Sequence, residues 1–130
     1  MSEEILICAA DAVQEAAAGV RFALRAGGEA AVGFVVRFQG QPFAYLNRCA
    51  HVPIELDWEK GQFFESGKRY IMCATHGAIY EPNSGQCVGG PCRGARLRSI
   101  AVLEKDGQIF WRPDEYCKAP LPPVQASSSI

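Results

Sequence analysis

The sequence predicts an all-β protein built from antiparallel hairpins. Short runs rich in β-branched and aromatic residues alternate with glycine-containing turns along most of the chain. The clearest hairpin signal is Asp106-Gly107, because both residues of a tight two-residue turn adopt positive φ and this pair suits them. Only one segment, near the amino terminus, carries the signals of a helical turn. These observations favour antiparallel strands throughout.

The first half of the chain supplies four predicted strands, over residues 5–9, 20–24, 32–38 and 43–46. We expect turns at Gly27-Gly28 and Gln39-Gly40. Between the first two strands, Asp11 is expected to cap a brief helical turn over 12–18 that Gly19 ends. The hairpin of residues 32–46 then delivers the chain to the segment that begins at Cys49.

The second half is less regular up to residue 72, with short strands expected at 63–64 and 69–72. Further strands are predicted at 78–80, 97–103 and 108–111, with a turn at 82–85 and a tight loop at Gly89-Gly90-Pro91. We expect one domain over residues 1–112. Four of the eight prolines follow it, so residues 113–130 are predicted to be a Pro- and Ser-rich tail without independent structure.

Composition argues against several classes of partner. The chain has 130 residues, enough for one domain, and a net charge of −1, which does not favour nucleic acid or an anionic membrane. No apolar run of membrane-spanning length is present, and the first residues are acidic. We therefore expect a cytoplasmic protein. In that compartment the six cysteines are expected to be thiols and metal ligands rather than a disulfide framework.

Two short clusters carry the chemistry, Cys49-Ala50-His51 and Cys73-Ala74-Thr75-His76. They contain both histidines of the chain, and 21 residues lie between His51 and Cys73. Two sulfur and two imidazole donors suit an iron–sulfur centre or another thiophilic metal. A structural zinc site is the alternative. Common zinc patterns pair cysteine with cysteine and histidine with histidine, however, whereas each pair here mixes the two types.

Cys-x-His, then Cys-x-x-His-Gly, then a Gly-Pro loop resembles a Rieske protein. In a Rieske centre two histidines replace two cysteines on one iron of a 2Fe–2S cluster. The resemblance implies one cluster per chain, with Cys49 and Cys73 on one iron and His51 and His76 on the other. It also implies a Rieske-like antiparallel β-sandwich of small sheets, with a cluster-binding subdomain inserted as two loops. Gly77, Gly90, Pro91 and Tyr80 are the matching residues around the ligands.

The resemblance also indicates a branch of the family. High-potential Rieske proteins carry a disulfide between the two cluster loops, but the matching positions here are Ile54 and Thr75. Those relatives also donate hydrogen bonds to the sulfurs from a serine and a tyrosine, which correspond to Ala78 and Tyr80. Without the disulfide positions, we expect the ferredoxin and oxygenase branch. With one donor absent, we expect a reduction potential in the lower half of the Rieske range.

The resemblance therefore implies a soluble one-electron carrier that passes electrons from a reductase to an oxygenase or reductase partner. Such a carrier is not an enzyme by itself and has no small-molecule substrate. The alternatives are an iron–sulfur redox sensor and, with less support, a structural zinc module.

Other residues are open to more than one interpretation. Cys87 and Cys92 flank the Gly-Pro loop, and we favour free thiols there over a disulfide. Cys8 and Cys117 are expected to serve in packing and tail attachment. Ordinary solvated charge is the favoured interpretation of two charged groups, with steering of a redox partner as the alternative. These groups are Arg93, Arg96 and Arg98, and Glu55, Asp57 and Glu59.

Overall fold

A computed structural model describes residues 4–49, 54–57, 60–74, 77–92 and 94–120, without the side chain of Cys92. Within these ranges the regular structure is almost entirely strand, with two short 3-10 turns and no α-helix. The prediction of an all-β fold is confirmed. The strands are β1 Ile5–Ala9, β2 Val20–Ala26, β3 Glu29–Phe38, β4 Gln41–Leu46, β5 Ile71–Met72, β6 Ile79–Tyr80, β7 Cys87–Gly89, β8 Ser99–Lys105, β9 Gln108–Arg112 and β10 Cys117–Lys118.

The larger sheet is antiparallel and has the order β1-β9-β8-β4-β3-β2-β10. It curls on itself, because β1 at one edge contacts β2 near the other edge. The curled sheet encloses an apolar core in which Trp111, Ile109, Leu24 and Val35 are buried. The rings of Phe22 and Trp111 lie 5.4 Å apart across this core.

Three two-residue turns set the register of the large sheet. Both residues of each turn have positive φ, the geometry that matches the twist of a hairpin. The predicted hairpin turns are therefore confirmed, and each connects strands paired without a register shift. The turns are Gly27-Gly28, Gln39-Gly40 and Asp106-Gly107.

The smaller sheet has the order β5-β6-β7 and lies entirely within the stretch between β4 and β8. We call residues 47–98 the inserted region. A second apolar core joins it to the large sheet, where Phe34 of β3 stacks on Phe63 with ring centroids 3.9 Å apart. The hydroxyl of Tyr45 in β4 donates a hydrogen bond to the Pro82 carbonyl at 2.7 Å. The large sheet is thus the base on which the inserted region stands.

Two details of the predicted elements are wrong. The helical turn expected over 12–18 is a 3-10 turn at Ala10–Ala12, and the side chain of Asp11 does not cap it. Arg37 instead donates hydrogen bonds to the carbonyls of Ala10 and Val13, which holds this connection against β3. The short strand expected at 63–64 is reduced to one isolated bridge between Phe64 and Ile71.

The chain continues on the body of the domain past residue 112. Strand β10 pairs with β2, where Cys117 lies opposite Ala26, and Cys117 is 1% exposed. Arg48 donates a hydrogen bond from its guanidinium to the Tyr116 hydroxyl at 3.1 Å. Residues 113–120 therefore lie against the large sheet, and residues 121–130 lie outside the described ranges. Across the described residues no helix is long and apolar enough to cross a membrane.

Candidate metal centre

Cys49 lies at the point where the chain leaves the large sheet. It follows β4 and is buried. Its backbone N–H donates a hydrogen bond to the Ile54 carbonyl at 2.7 Å. The loop that contains the first ligand pair therefore closes on itself directly at the cysteine. His51 belongs to that loop and lies outside the described residues.

Cys73 lies in the turn between β5 and β6. Its N–H donates to the Ala78 carbonyl at 2.8 Å, and its own carbonyl accepts from the Gly77 N–H at 2.8 Å. Gly77 has φ of +74°, which an L-residue adopts only with strain. The turn thus needs the glycine that follows the second pair. Cys73 is fully buried, and His76 lies outside the described residues.

Tyr80 connects the small sheet to the first cysteine. Its hydroxyl oxygen lies 3.3 Å from the Cys49 sulfur, and both side chains are buried. A metal-bound cysteine is a thiolate, which accepts hydrogen bonds, so the tyrosine is the donor in that state. Ala78, two residues earlier, is fully buried and offers no hydroxyl. One of the two donors of the high-potential relatives is thus in place near a sulfur.

The Gly-Pro loop packs tightly on the second cysteine turn. A Cβ at Gly90 would lie 2.9 Å from both the Ala78 Cα and the Gly77 carbonyl oxygen. Gly90 also has φ of +82°, so both the space and the backbone require glycine here. Pro91, the next residue, is exposed. The Gly-Pro loop and the second cysteine turn therefore form one packed unit.

The described part of this unit fits an iron–sulfur cluster. Cys49 and Cys73 belong to the same buried cluster of side chains, together with Tyr80. Thiolate ligands shielded from water, with a hydroxyl directed at one sulfur, are the features that tune such clusters. Because both histidines lie outside the described residues, the full ligand set stays a prediction. Among the described residues alone, no group of three metal-ligating side chains is present.

The other cysteines differ from one another. Cys87 in β7 is disulfide-bonded, so our preference for a free thiol at this position is wrong. Its sulfur lies 3.3 Å from the Gly89 carbonyl oxygen. The side chain of Cys92 lies outside the described part. Cys8 and Cys117 are thiols, and burial raises the pKa of each.

The structure changes the interpretation of the charged groups. Asp57 cannot steer a partner, because its side chain is fully buried and paired with Arg21. Asn47 and Arg21, which contact Asp57, were not singled out from the sequence, where nothing marks them as neighbours. Arg98 stacks on the Tyr116 ring at 4.5 Å and pairs with Asp114 at 3.5 Å.

Two of the remaining charged residues lie outside the described ranges. Arg96 is described and donates a hydrogen bond to the Ser84 carbonyl at 3.0 Å. Arg93 and Glu59 are the two that the structure does not describe.

The site and the fold can be compared with known proteins. Among solved structures, the ferredoxin of carbazole 1,9a-dioxygenase from Nocardioides aromaticivorans IC177 matches with a TM-score of 0.65 at 21% identity, over 85% of this chain and 98% of that one. A Sphingomonas yanoikuyae B1 ferredoxin matches with a TM-score of 0.65 at 18% identity, over 86% of this chain and 100% of that one. Apo dicamba monooxygenase matches with a TM-score of 0.63 at 20% identity, over 88% of this chain but only 34% of that one.

At these identities the structural matches establish the fold alone. No curated protein sequence matches the chain. The model of the Rieske [2Fe-2S] domain matches residues 3–115, which is most of the sequence. The chain therefore belongs to the Rieske [2Fe-2S] domain family and carries one 2Fe–2S cluster.

Proposed function

We propose that this protein is a one-electron carrier of the cytoplasm that receives electrons from a reductase and passes them to an oxygenase or reductase partner. In this proposal Cys49 and Cys73 hold one iron, and His51 and His76 hold the other. The observation that carries it is the pair of buried cysteines at adjoining loops, with the Tyr80 hydroxyl 3.3 Å from the Cys49 sulfur.

The ligand chemistry explains why such a site transfers single electrons. Two thiolates contribute a charge of about −2 and the oxidised cluster core about +2, so the oxidised site is close to neutral. Imidazole in place of thiolate keeps one iron less anionic, which raises the potential above the roughly −400 mV of plant-type ferredoxins. With Tyr80 as donor and Ala78 in place of a second donor, we expect a midpoint below about +150 mV.

An exposed face next to the cysteines supports an exchange of electrons with other proteins. Ala74, Gly77 and Pro91 are exposed, although Cys73 and Ala78 beside the first two are buried. Val88 is 50% exposed and is one of few large apolar side chains at the surface of the described part. A small, partly apolar face is typical of weak electron-transfer encounters. The proposal assigns the protein no small-molecule substrate of its own.

The similar structures favour an oxygenase as the acceptor. One of them is a complex of reduced oxygenase and oxidised ferredoxin in carbazole 1,9a-dioxygenase, and its matching chain is covered to 97%. The family also contains catalytic proteins, but the dicamba monooxygenase chain is about three times as long as the part that matches here. This chain covers 98% of the carbazole dioxygenase ferredoxin, so a carrier explains the match better than a catalytic oxygenase does.

The direct test is anaerobic purification followed by optical and EPR spectra of the reduced protein. We expect visible absorbance and the low average g value of a cluster with mixed histidine and cysteine ligands. Cys49→Ser and Cys73→Ser are expected to abolish both signals. Cys8→Ser is the matched control, because that thiol lies in the large sheet and its replacement should leave both signals intact.

Two results would contradict the proposal. A colourless protein that binds zinc after reconstitution with iron and sulfide would indicate the structural zinc module. A reduced protein that does not transfer its electron to any oxygenase-type acceptor, but whose cluster state changes its affinity for another protein, would indicate the redox sensor.

A further inference from the structure

A buried carboxylate is hydrogen-bonded to Asn47, two residues before Cys49. The side chain of Asp57 is fully buried and accepts three hydrogen bonds. Its Oδ1 accepts from Asn47 Nδ2 at 2.8 Å. Its Oδ2 accepts from the Gly61 N–H at 2.9 Å and from the Arg21 guanidinium at 3.2 Å. We call Arg21, Asn47 and Asp57 the Asp57 clamp.

The clamp holds a segment that contacts both cysteine loops. Asn47 Oδ1 accepts a hydrogen bond from the Leu56 N–H at 2.8 Å. The Leu56 carbonyl accepts from the N–H of Ala74, the residue after Cys73, at 3.0 Å. Residues 54–57 also supply the Ile54 carbonyl that binds the Cys49 N–H. A single short segment therefore spaces the two cysteines, and the clamp ties it to the large sheet.

The three elements that meet at the clamp come from distant parts of the sequence. Arg21 belongs to β2, and Asn47 follows β4, where its N–H also donates to the Val32 carbonyl of β3 at 2.8 Å. A buried carboxylate is stable only when its oxygens are fully hydrogen-bonded or ion-paired. Each donor therefore constrains where Asp57, and with it residues 54–57, is able to lie.

We propose that Asp57 is a positioning residue for the iron–sulfur cluster. Held by Arg21 and Asn47, it fixes the segment that sets the relative position of the two cysteine loops. The inference rests on the proposed assignment of Cys49 and Cys73 as cluster ligands. Asp57 acts through the backbone of residues 54–57, whose carbonyls bind the N–H groups of Cys49 and Ala74.

The decisive variant is Asp57→Asn. The amide matches the carboxylate in shape, but its NH₂ group faces either the Gly61 N–H and Arg21 or the Asn47 amide, so donors oppose each other. We expect loss of visible absorbance in the presence of an iron chelator to become about tenfold to a hundredfold faster. We also expect broadened EPR features and a shifted midpoint potential, because the ligand geometry becomes less uniform.

Glu55→Gln is the matched control. Glu55 pairs with Arg21 at 3.0 Å, and its substitution removes the same negative charge as Asp57→Asn does. Unlike that of Asp57, however, the side chain of Glu55 is 47% exposed. We expect its chelator-driven cluster loss to change by less than about fivefold, with wild-type EPR features. Equal effects of the two substitutions would overturn the proposal, since charge near the loop would then be sufficient.

Ile109→Ala separates positioning from general destabilisation. This buried residue of the large-sheet core has no role in the clamp. Its variant should unfold at a lower temperature and keep wild-type EPR features and potential. The proposal is overturned if Asp57→Asn keeps the wild-type spectrum, or if Ile109→Ala reproduces its altered spectrum.

Two further results complete the test. If Asp57→Asn yields no folded protein, Arg21→Gln is measured instead, because it leaves the Asn47 and Gly61 hydrogen bonds to Asp57 intact. Faster cluster loss than in Glu55→Gln would then support the clamp, and an equal rate would overturn it. If the wild-type protein lacks the Rieske EPR signal, the ligand assignment fails together with this inference. If the wild-type protein shows the signal but the variants contradict the clamp, only the role of Asp57 is overturned.

Discussion

The large sheet and the inserted region are stabilised in different ways. Apart from β10, the strands of the large sheet have 5 to 10 residues, and their hairpin turns and buried faces specify the pairing. The strands of the small sheet have only 2 or 3 residues. So few ladder hydrogen bonds and side chains do not hold a sheet alone.

The inserted region replaces strand length with other constraints. Loop-to-loop backbone hydrogen bonds, the Asp57 clamp and the disulfide at Cys87 all lie in or next to it. The 2Fe–2S cluster adds a further cross-link, because metal ligation contributes to folding free energy. The inserted region therefore depends on a few specific contacts, whereas the base depends on many apolar contacts spread over a large core.

The largest expected effect is that of Gly90→Ala. The new methyl group would lie 2.9 Å from the Ala78 Cα and the Gly77 carbonyl oxygen, which are backbone atoms of the second cysteine turn. We expect loss of most bound iron, measured by metal analysis and visible absorbance. Gly94→Ala is the matched control, because Gly94 has φ of +85° but a Cβ added there would meet no atom of the described residues within 4 Å, its chain neighbours aside. Equal iron loss in the two variants would mean that backbone strain, not loop packing, is responsible.

A large effect of a different kind is expected in the base. Ile109→Ala removes a fully buried side chain from the large-sheet core and should lower the free energy of unfolding by about 2–5 kcal/mol. Thermal or urea unfolding measures this change. The midpoint potential should stay at the wild-type value, and a shifted potential would show that the two regions are not separable.

Tyr80→Phe should have a smaller, electronic effect. Removal of the hydroxyl near the Cys49 sulfur takes away a donor that favours the reduced state, so the potential should fall by on the order of 50 mV, or roughly 1 kcal/mol. Protein-film voltammetry measures the shift. Tyr45→Phe is the control, because that buried hydroxyl binds the Pro82 carbonyl instead. A comparable shift in both variants would contradict the assigned role of Tyr80.

The smallest expected effect concerns Cys117 and pH. Burial raises the pKa of this thiol above its ordinary value of 9.0. Above that pH the unfolded chain loses the proton while the folded chain keeps it, so the free energy of unfolding falls as pH rises toward the folded pKa. In Cys117→Ala the free energy of unfolding should therefore fall less steeply with pH above 9, by at most about 1.4 kcal/mol per pH unit. Parallel stability curves above pH 9 would contradict this.

The parts that sequence analysis predicted are those specified by neighbours in the chain. Asp106-Gly107 and Gln39-Gly40 form their turns because two adjacent residues adopt positive φ together. The clamp could not be predicted in this way, because Arg21 and Asp57 are 36 residues apart and nothing local marks them as partners. The disulfide at Cys87 was missed because the expected compartment, rather than the local chain, guided that interpretation.

By itself the sequence determined the all-β class, three hairpin turns and the family to which the chain belongs. These depend on local backbone preferences and on a short motif with characteristic spacing. Only the tertiary structure decided that Tyr80 reaches Cys49, that Gly90 packs on the second cysteine turn and that Asp57 is buried rather than exposed. Each of these depends on loops brought together by the large sheet, because a side chain's burial and partners are set by elements distant in the sequence.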